Sequence, residues 1–234
     1  MDKKIPPFSV KEILTRGQGD FGEYLYTYDP KSFWEEFGED YHHTFSPQGS
    51  EDNPIDLNVK WLAARIKFLN PKSILEVGCG FGRVLGYLSL GKEIIGHERL
   101  VGVDFSESMV KSSKVFFEAE KSIKKEDYPE IIQADATDLP FQDNEFDLVY
   151  THVCLTHIPP KKVMLAREEI SRVAKNYILL MERWAYPYEH PDPHRWSHDN
   201  ISHFLQMGWN VYESAKVNKK HDTILTLFTR EFYG

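Results

Sequence analysis

From residue 73 onward, short apolar runs alternate with segments of helical periodicity, and this alternation restricts the chain more than any other feature. The runs are SILEV (Ser73 to Val77), LVGVD (Leu100 to Asp104), EIIQA (Glu130 to Ala134), FDLVYT (Phe146 to Thr151) and NYILLME (Asn176 to Glu182). Helical patterns fall at Arg83 to Leu90, Glu107 to Lys121 and Pro160 to Ala174, and an amphipathic helix over Ile55 to Leu69 precedes them. Such alternation predicts a parallel sheet with helices on both faces. Between Asp135 and Glu145 there is room only for a compact crossover. After a helix-like stretch from His198 to Met207, the runs WNVYESAKV (Trp209 to Val217) and TILTLFTRE (Thr223 to Glu231) read as an antiparallel hairpin at a sheet edge. Open sheets of this class bind ligands beyond the carboxyl ends of their strands, so the residues just after each strand are the ones to examine.

Composition narrows the partners. The 234 residues carry a formal charge of −8, which argues against duplex binding because no basic face is available to displace counterions. The N-terminus MDKKIPPFSV lacks an apolar core and no run reaches the roughly 18 residues of a membrane span. Two cysteines, Cys79 and Cys154, form neither a disulfide framework nor a CxxC pair, which fits a reducing cytoplasm. Residues 1–53 form an aromatic, acidic section that we expect to be a helical cap, with the α/β domain over 54–234.

The first strand runs into EVGCGFGR, with Gly78, Gly80 and Gly82 at alternate positions. The dinucleotide pattern GxGxxG fails, since Arg83 or Leu85 occupies its last position, and no GK[ST] follows to make a P-loop. Glu76 would repel a pyrophosphate and attract an ammonium, by roughly 4 kcal/mol at about 4 Å and an effective dielectric near 20. The turn therefore suits an amino-acid-bearing nucleoside, or is simply a glycine turn packing a helix on a strand. Asp104 ends the second strand, where it can accept both ribose hydroxyls or cap the next helix, for which Ser106 is the better candidate. Asp135 ends the third strand and can accept from an adenine amino group, or be a solvated loop acid.

In order, ILEVGCGFGRV, VGVDFSESMV and QADATDLPFQDNEFDLVYTHVCLTHIPP make the chain resemble the class I S-adenosylmethionine-dependent methyltransferases over roughly Pro54 to Glu231. The resemblance implies a Rossmann-like seven-stranded sheet, mostly parallel, with its last strand reversed. It implies that Glu76, Gly78, Gly80 and Gly82 hold the methionine part of S-adenosyl-L-methionine, and that Asp104 binds the ribose. Phe105 and Met109 would lie near the adenosine, Asp135 and Ala136 at the adenine, and Thr151 and His152 beside the methionine moiety. One departure is the 22 positions from Gly82 to Asp104, more than the family's usual spacing, with the extra residues assigned to GKEIIGHER.

Methyl transfer is an in-line displacement that rests mainly on orientation, worth up to about 7–11 kcal/mol. A base is needed only where the acceptor keeps its proton at neutral pH. Possible bases are His152 and His157 after the fourth strand and Glu182 at the end of the fifth, and His190, His194 and His198 sit among Trp184, Tyr186, Tyr188 and Trp196. We take His157, His152 and His194 as the base candidates; each has a bland alternative as a packing or surface residue. HPDPH is not a recognised ligand spacing, so no metal is expected. Phe33, Trp34, Phe37 and Tyr41 recur at helical spacing, either as core or as a lid over the site. The expected activity is methylation of an O or N atom of a small-molecule acceptor, with a homodimer left open. The alternatives are a non-catalytic cofactor-binding scaffold working through a partner protein, or a methyltransferase acting on a protein or RNA component.

Overall fold

The computed structural model describes residues 29–36, 57–90, 97–121, 123–183, 195–218 and 223–231. Seven strands form one sheet: β1 (Ser73–Val77), β2 (Arg99–Asp104), β3 (Glu130–Gln133), β4 (Phe146–His152), β5 (Ala174–Arg183), β6 (Asn210–Asn218) and β7 (Thr223–Thr229). Their spatial order is β3-β2-β1-β4-β5-β7-β6. β1 to β5 pair in parallel, while β7 runs antiparallel to both β5 and β6. The expected hairpin is present, with β7 inserted between β5 and β6 so that β6 takes the edge.

The helices are α1 (residues 30–36), α2 (Leu57–Leu69), α3 (Arg83–Leu90), α4 (Glu107–Ala119), α5 (Val163–Val173) and α6 (Asn200–Gln206). In β1 the residues from Ile74 to Val77 are all buried, because helices cover both faces. Alternate side chains then divide between two cores. Ile74, Leu148, Tyr150 and Leu179 pack with Val59, Leu62 and Ile66 of α2 and with Leu85 and Leu88 of α3. Leu75, Val77, Val149 and Ile178 pack on the other face with Ala166 and Ile170 of α5, together with Phe204 and Trp209.

The boundaries differ from the sequence reading where tertiary hydrogen bonds intervene. α5 starts at Val163 rather than Pro160, because Lys162 and Val163 donate to the Pro159 carbonyl in a preceding turn. β5 starts at Ala174, directly after α5, since that helix needs no loop to feed the strand beside β4. Between β3 and β4 the chain makes only turns, held by Arg172, which donates to the carbonyls of Leu139 and Phe141. Most of the long turn expected at 91–99 lies outside the described residues, as do Phe37 and Tyr41 of the aromatic stripe. No helix among the described residues is long and apolar enough to cross a membrane.

Candidate active site

The sheet order reverses between β1 and β4, and the carboxyl ends of β1, β2 and β4 meet at that crevice. The glycine turn leaves β1 with positive φ at Gly78 (76°), Gly80 (54°) and Gly82 (85°). Gly78 has no room for a side chain: a Cβ there would lie 2.4 Å from Cys154 Sγ. At Gly80 such a Cβ would meet Met109 Sδ at an ordinary contact distance of 3.9 Å, so the positive φ rather than crowding favours glycine there.

Two buried carboxylates support this turn. Glu76, 2% exposed, accepts from Tyr150 Oη at 2.8 Å and from the Leu85 amide in the first turn of α3. Tyr150 is its cross-strand neighbour, which places the phenol beside it. Burial pushes the Glu76 carboxyl up to about 8, against the opposing Tyr150 bond. The acid therefore sits beneath the turn with its neutral form favoured, and a cation arriving above it would favour the carboxylate. Asp104, 9% exposed, accepts from the Gly80 amide at 2.8 Å with Oδ2 and from the Ser106 amide at 3.0 Å with Oδ1. Burial raises its carboxyl to about 6. A carboxylate has about four acceptor positions, so Asp104 keeps capacity for a ligand's hydroxyls while it ties β2 to the turn.

Ser106 is the side-chain cap of α4, its Oγ accepting from the Met109 amide at 3.2 Å. Phe105 is half-buried beside it, and Met109 is buried under Gly80. Asp135 is exposed and folds its carboxylate back onto Thr137, from which it accepts both the amide (2.9 Å) and the hydroxyl (2.8 Å). Ala136 packs against the core on the α5 face. The three strand-end acids thus converge on one edge, two buried and one exposed.

The segment after β4 is shaped by a residue first read as a base candidate. Glu182 is 4% exposed at the end of β5. Its carboxylate accepts from Thr151 Oγ1 (2.7 Å) and from the amides of Cys154 (3.0 Å), Leu155 (3.1 Å) and Thr156 (3.2 Å). With its oxygens so committed, Glu182 organises the loop instead of taking a substrate proton. Those contacts hold Val153 at φ 56°, a costly conformation for a β-branched residue. Thr156 in turn exchanges two bonds with Trp196, bringing residues 195–199 back onto this loop.

His152, the last residue of β4, has a buried Nε2 without a hydrogen-bond partner. Burial, together with the charge of Arg83, drives its imidazole down to about 3. His157 closes the short turn at Leu155–His157 and meets the Trp34 ring edge-to-face, 4.8 Å between centroids. His198 Nε2 lies 2.9 Å from the Ile158 carbonyl oxygen, a structural contact. His190 and His194 fall outside the described residues. Burial raises the Cys154 thiol well above its ordinary range, so it stays a packed thiol against Gly78. Among the described residues no cluster of three or more His, Cys, Asp or Glu has metal-holding geometry.

The described part of the aromatic stripe, read as core or lid, lies in α1, and the contacts of Glu35 beside it had no counterpart in the sequence reading. α1 lies across the crevice, with Trp34 on His157 and Glu35 on the start of α4: the Glu35 carboxylate accepts from the amides of Glu107 (2.7 Å) and Ser108 (2.9 Å). Ser108 Oγ returns a bond to the Glu35 carbonyl at 3.0 Å.

Comparison with known proteins agrees with this geometry. The family profile described as a methyltransferase domain matches residues 75–178. A demethylmenaquinone methyltransferase of Staphylococcus carnosus is 36% identical over 101 residues, covering 43% of this chain and 38% of that protein. The chloroplastic tocopherol O-methyltransferase of Arabidopsis thaliana is 27% identical over 180 residues, covering 70% of this chain and 47% of that protein. The alignments span less than half the length of these curated relatives. Among solved structures, magnesium protoporphyrin IX methyltransferase from Synechocystis PCC 6803 with bound SAM superposes with a TM-score of 0.66 at 15% identity. That superposition covers 87% of this chain and 98% of the other. Residues 75–178 thus resemble a methyltransferase domain, and the sheet has the same fold as the Synechocystis structure.

Proposed function

We propose that this methyltransferase domain binds S-adenosyl-L-methionine and methylates an O or N atom of a small-molecule acceptor. One observation carries the reading: Asp104, buried at the end of β2, is bonded to the amide of Gly80 in the glycine turn that leaves β1. The charges suit the ligand. A sulfonium nucleoside brings hydroxyl donors to Asp104 and positive charge above Glu76, which favours that acid's ionised form, whereas a pyrophosphate would oppose it. When bound, that nucleoside supplies an electrophilic methyl group. Thr151, whose hydroxyl is fixed by Glu182, and Gly78 form the wall beside its methionine part, with Phe105, Met109, Asp135 and Ala136 along the nucleoside.

The chain's own contribution is orientation and exclusion of water. α1 covers the crevice, so Trp34 and His157 line the approach of the acceptor, and the aromatic surface favours a planar acceptor. His157 is the described base candidate on that approach, and α1 is the described part of the section expected to form the cap. A small acceptor is further supported by relatives named for menaquinone and tocopherol methylation. The net charge of −8 disfavours a nucleic-acid acceptor, and the two free cysteines suit a reducing cytoplasm.

The test has two stages. Thermal shift with S-adenosylmethionine, S-adenosylhomocysteine and NAD separates the cofactor classes, since a ligand at 100 times its Kd adds about 2.7 kcal/mol. We expect stabilisation by the first two alone; stabilisation by NAD alone rejects the reading. Release of S-adenosylhomocysteine is then followed over a panel of phenols, quinols and amines, and no turnover on any of them rejects a small acceptor of these classes.

A further inference from the structure

We infer that Arg167 and Asn200 form a subsite that binds a carboxylate of the acceptor, which makes the acceptor a planar organic acid. This rests on the methyl-transfer reading above and deepens it by naming a group on the acceptor.

Arg167 brings into the interior a charge that no carboxylate among the described residues pairs. It lies on α5 and is 2% exposed, and its Nε donates to Asn200 Oδ1 at 2.9 Å. A guanidinium has five N–H donors and no acceptor, so this bond leaves both terminal NH2 groups unused. Neither has a hydrogen-bond partner among the described residues. Asp199 and Glu182 reach Arg167 through charge alone. Asp199 is committed to the cap of α6, where it accepts the Ser202 amide at 3.0 Å, and Glu182 to the loop after β4. Burial therefore lowers the guanidinium to about 10. A buried charge held this way is costly unless a partner completes it.

Asn200 adds donors at the same place. Because the Arg167 Nε–H can only donate, the Asn200 amide must turn its oxygen to it, which leaves the NH2 group free to donate elsewhere. Asn200 is 7% exposed, and that NH2 group also has no partner among the described residues. Two adjacent buried side chains thus present donors without an acceptor, and none of these nitrogens is sealed from solvent. Donors gathered on a positive charge select an anion, and the guanidinium fork matches a carboxylate bidentately.

The position ties this subsite to the acceptor's approach. Glu182 ends β5, and its Oε2 accepts the Thr156 amide. Thr156 exchanges two bonds with Trp196, four residues before Asn200, while the next residue, His157, faces Trp34. His198 is held on the Ile158 carbonyl oxygen. Residues 196–200 thus join Arg167 to the loop that carries His157. An acceptor whose reacting atom lies at His157 and Trp34 has its opposite end available to Arg167.

The experiment uses three small probes in the presence of saturating S-adenosylhomocysteine. Benzoate and benzamide share a shape and differ in charge; acetate carries the carboxylate without the ring. Their Kd values are measured by NMR titration for the wild type, Arg167→Met and Asn200→Asp. Met fills much of the arginine's volume without charge, and Asp supplies the missing carboxylate from within. We expect the wild type to bind benzoate at least tenfold more tightly than either benzamide or acetate. Both variants should bring benzoate and benzamide within threefold of each other, with the Kd for S-adenosylhomocysteine unchanged within threefold. Asn200→Asp should also raise Tm, so it decides the matter if Arg167→Met does not fold. Equal binding of benzoate and benzamide by the wild type overturns the subsite and leaves water as its occupant. Acetate binding as tightly as benzoate overturns the acceptor assignment in favour of a free anion. Weakened S-adenosylhomocysteine in Arg167→Met overturns it in favour of the cofactor's own carboxylate. Failure of the wild type to bind S-adenosylhomocysteine overturns instead the reading on which the proposal stands.

Discussion

Glu35 and Ser108 are 73 residues apart in sequence, yet the Glu35 carboxylate accepts the Ser108 amide at 2.9 Å in the first turn of α4. With the Glu107 amide bound as well, Glu35 supplies from outside the helix what a capping acid supplies from within. Burial opposes its ionisation, and the two amide bonds outweigh burial and hold its carboxyl below the usual range. Glu35→Ala should cost about 0.5–1 kcal/mol, a capping effect reduced for partial exposure. Urea denaturation at pH 7 measures it. The loss should shrink as the pH falls through the carboxylate range, because the wild-type contribution is itself lost there.

Asp104 behaves in the opposite sense. Its folded-state carboxyl is raised by burial to about 6 from 3.8. The folded form therefore binds the proton more tightly, so this residue's contribution is present at low pH and is lost as the pH rises through about 6. Removing it with Asp104→Asn should flatten the stability profile between pH 4 and 6. Affinity for S-adenosylmethionine should rise across the same window as the carboxylate ionises and becomes the better acceptor for the ribose hydroxyls. In Asp104→Asn that rise should vanish and binding should weaken at least tenfold. Calorimetry at pH 5, 6 and 7 reads both.

These two acids show what a sequence can and cannot convey. Asp104 was legible because it ends an apolar run, and the end of a parallel strand has a fixed meaning in this class of sheet. Ser106 was legible as a cap for the same local reason. Glu35 was not, since its partners are backbone amides 72 and 73 positions away, and amides leave no mark on residue type. Glu182 was seen but misread. A strand-end acid looks like a base until the loop amides that occupy it are known. Val153 gave no signal either, as nothing in a valine announces a positive φ.

Glu182→Gln places an NH2 group among N–H donors and removes the charge they share. At least about 2 kcal/mol of stability should be lost, since buried amides are left poorly paired. For a chain of this size that corresponds to a fall in Tm of about 4–8 °C. Calorimetric scanning checks it, and a Tm within a degree of wild type would show that the Cys154–Thr156 amides do not depend on this carboxylate.

His157 can be divided into its ring and its nitrogens. An edge-to-face pair is worth about 0.5–1.5 kcal/mol, and His157→Phe keeps such a pair with Trp34 while removing the titratable group. We expect His157→Ala to be destabilised by that amount and His157→Phe to match the wild type in denaturant. On an acceptor identified from the panel, both variants should lose more than tenfold in kcat, with the Kd for S-adenosylmethionine unchanged within threefold. Full turnover in His157→Phe would leave the residue a packing role alone.

The placement of β7 between β5 and β6 governs how the sheet can be assembled. Among the described strands β6 pairs only with β7, so it does not attach to β5 when it is synthesised; it waits for the strand that follows it. Until then the outer rim of β5, ten residues long and largely buried in the finished protein, is an open template for any passing strand. The hairpin must zip on its own and dock as a unit, which makes its docking the step during biogenesis at which a wayward chain could be captured.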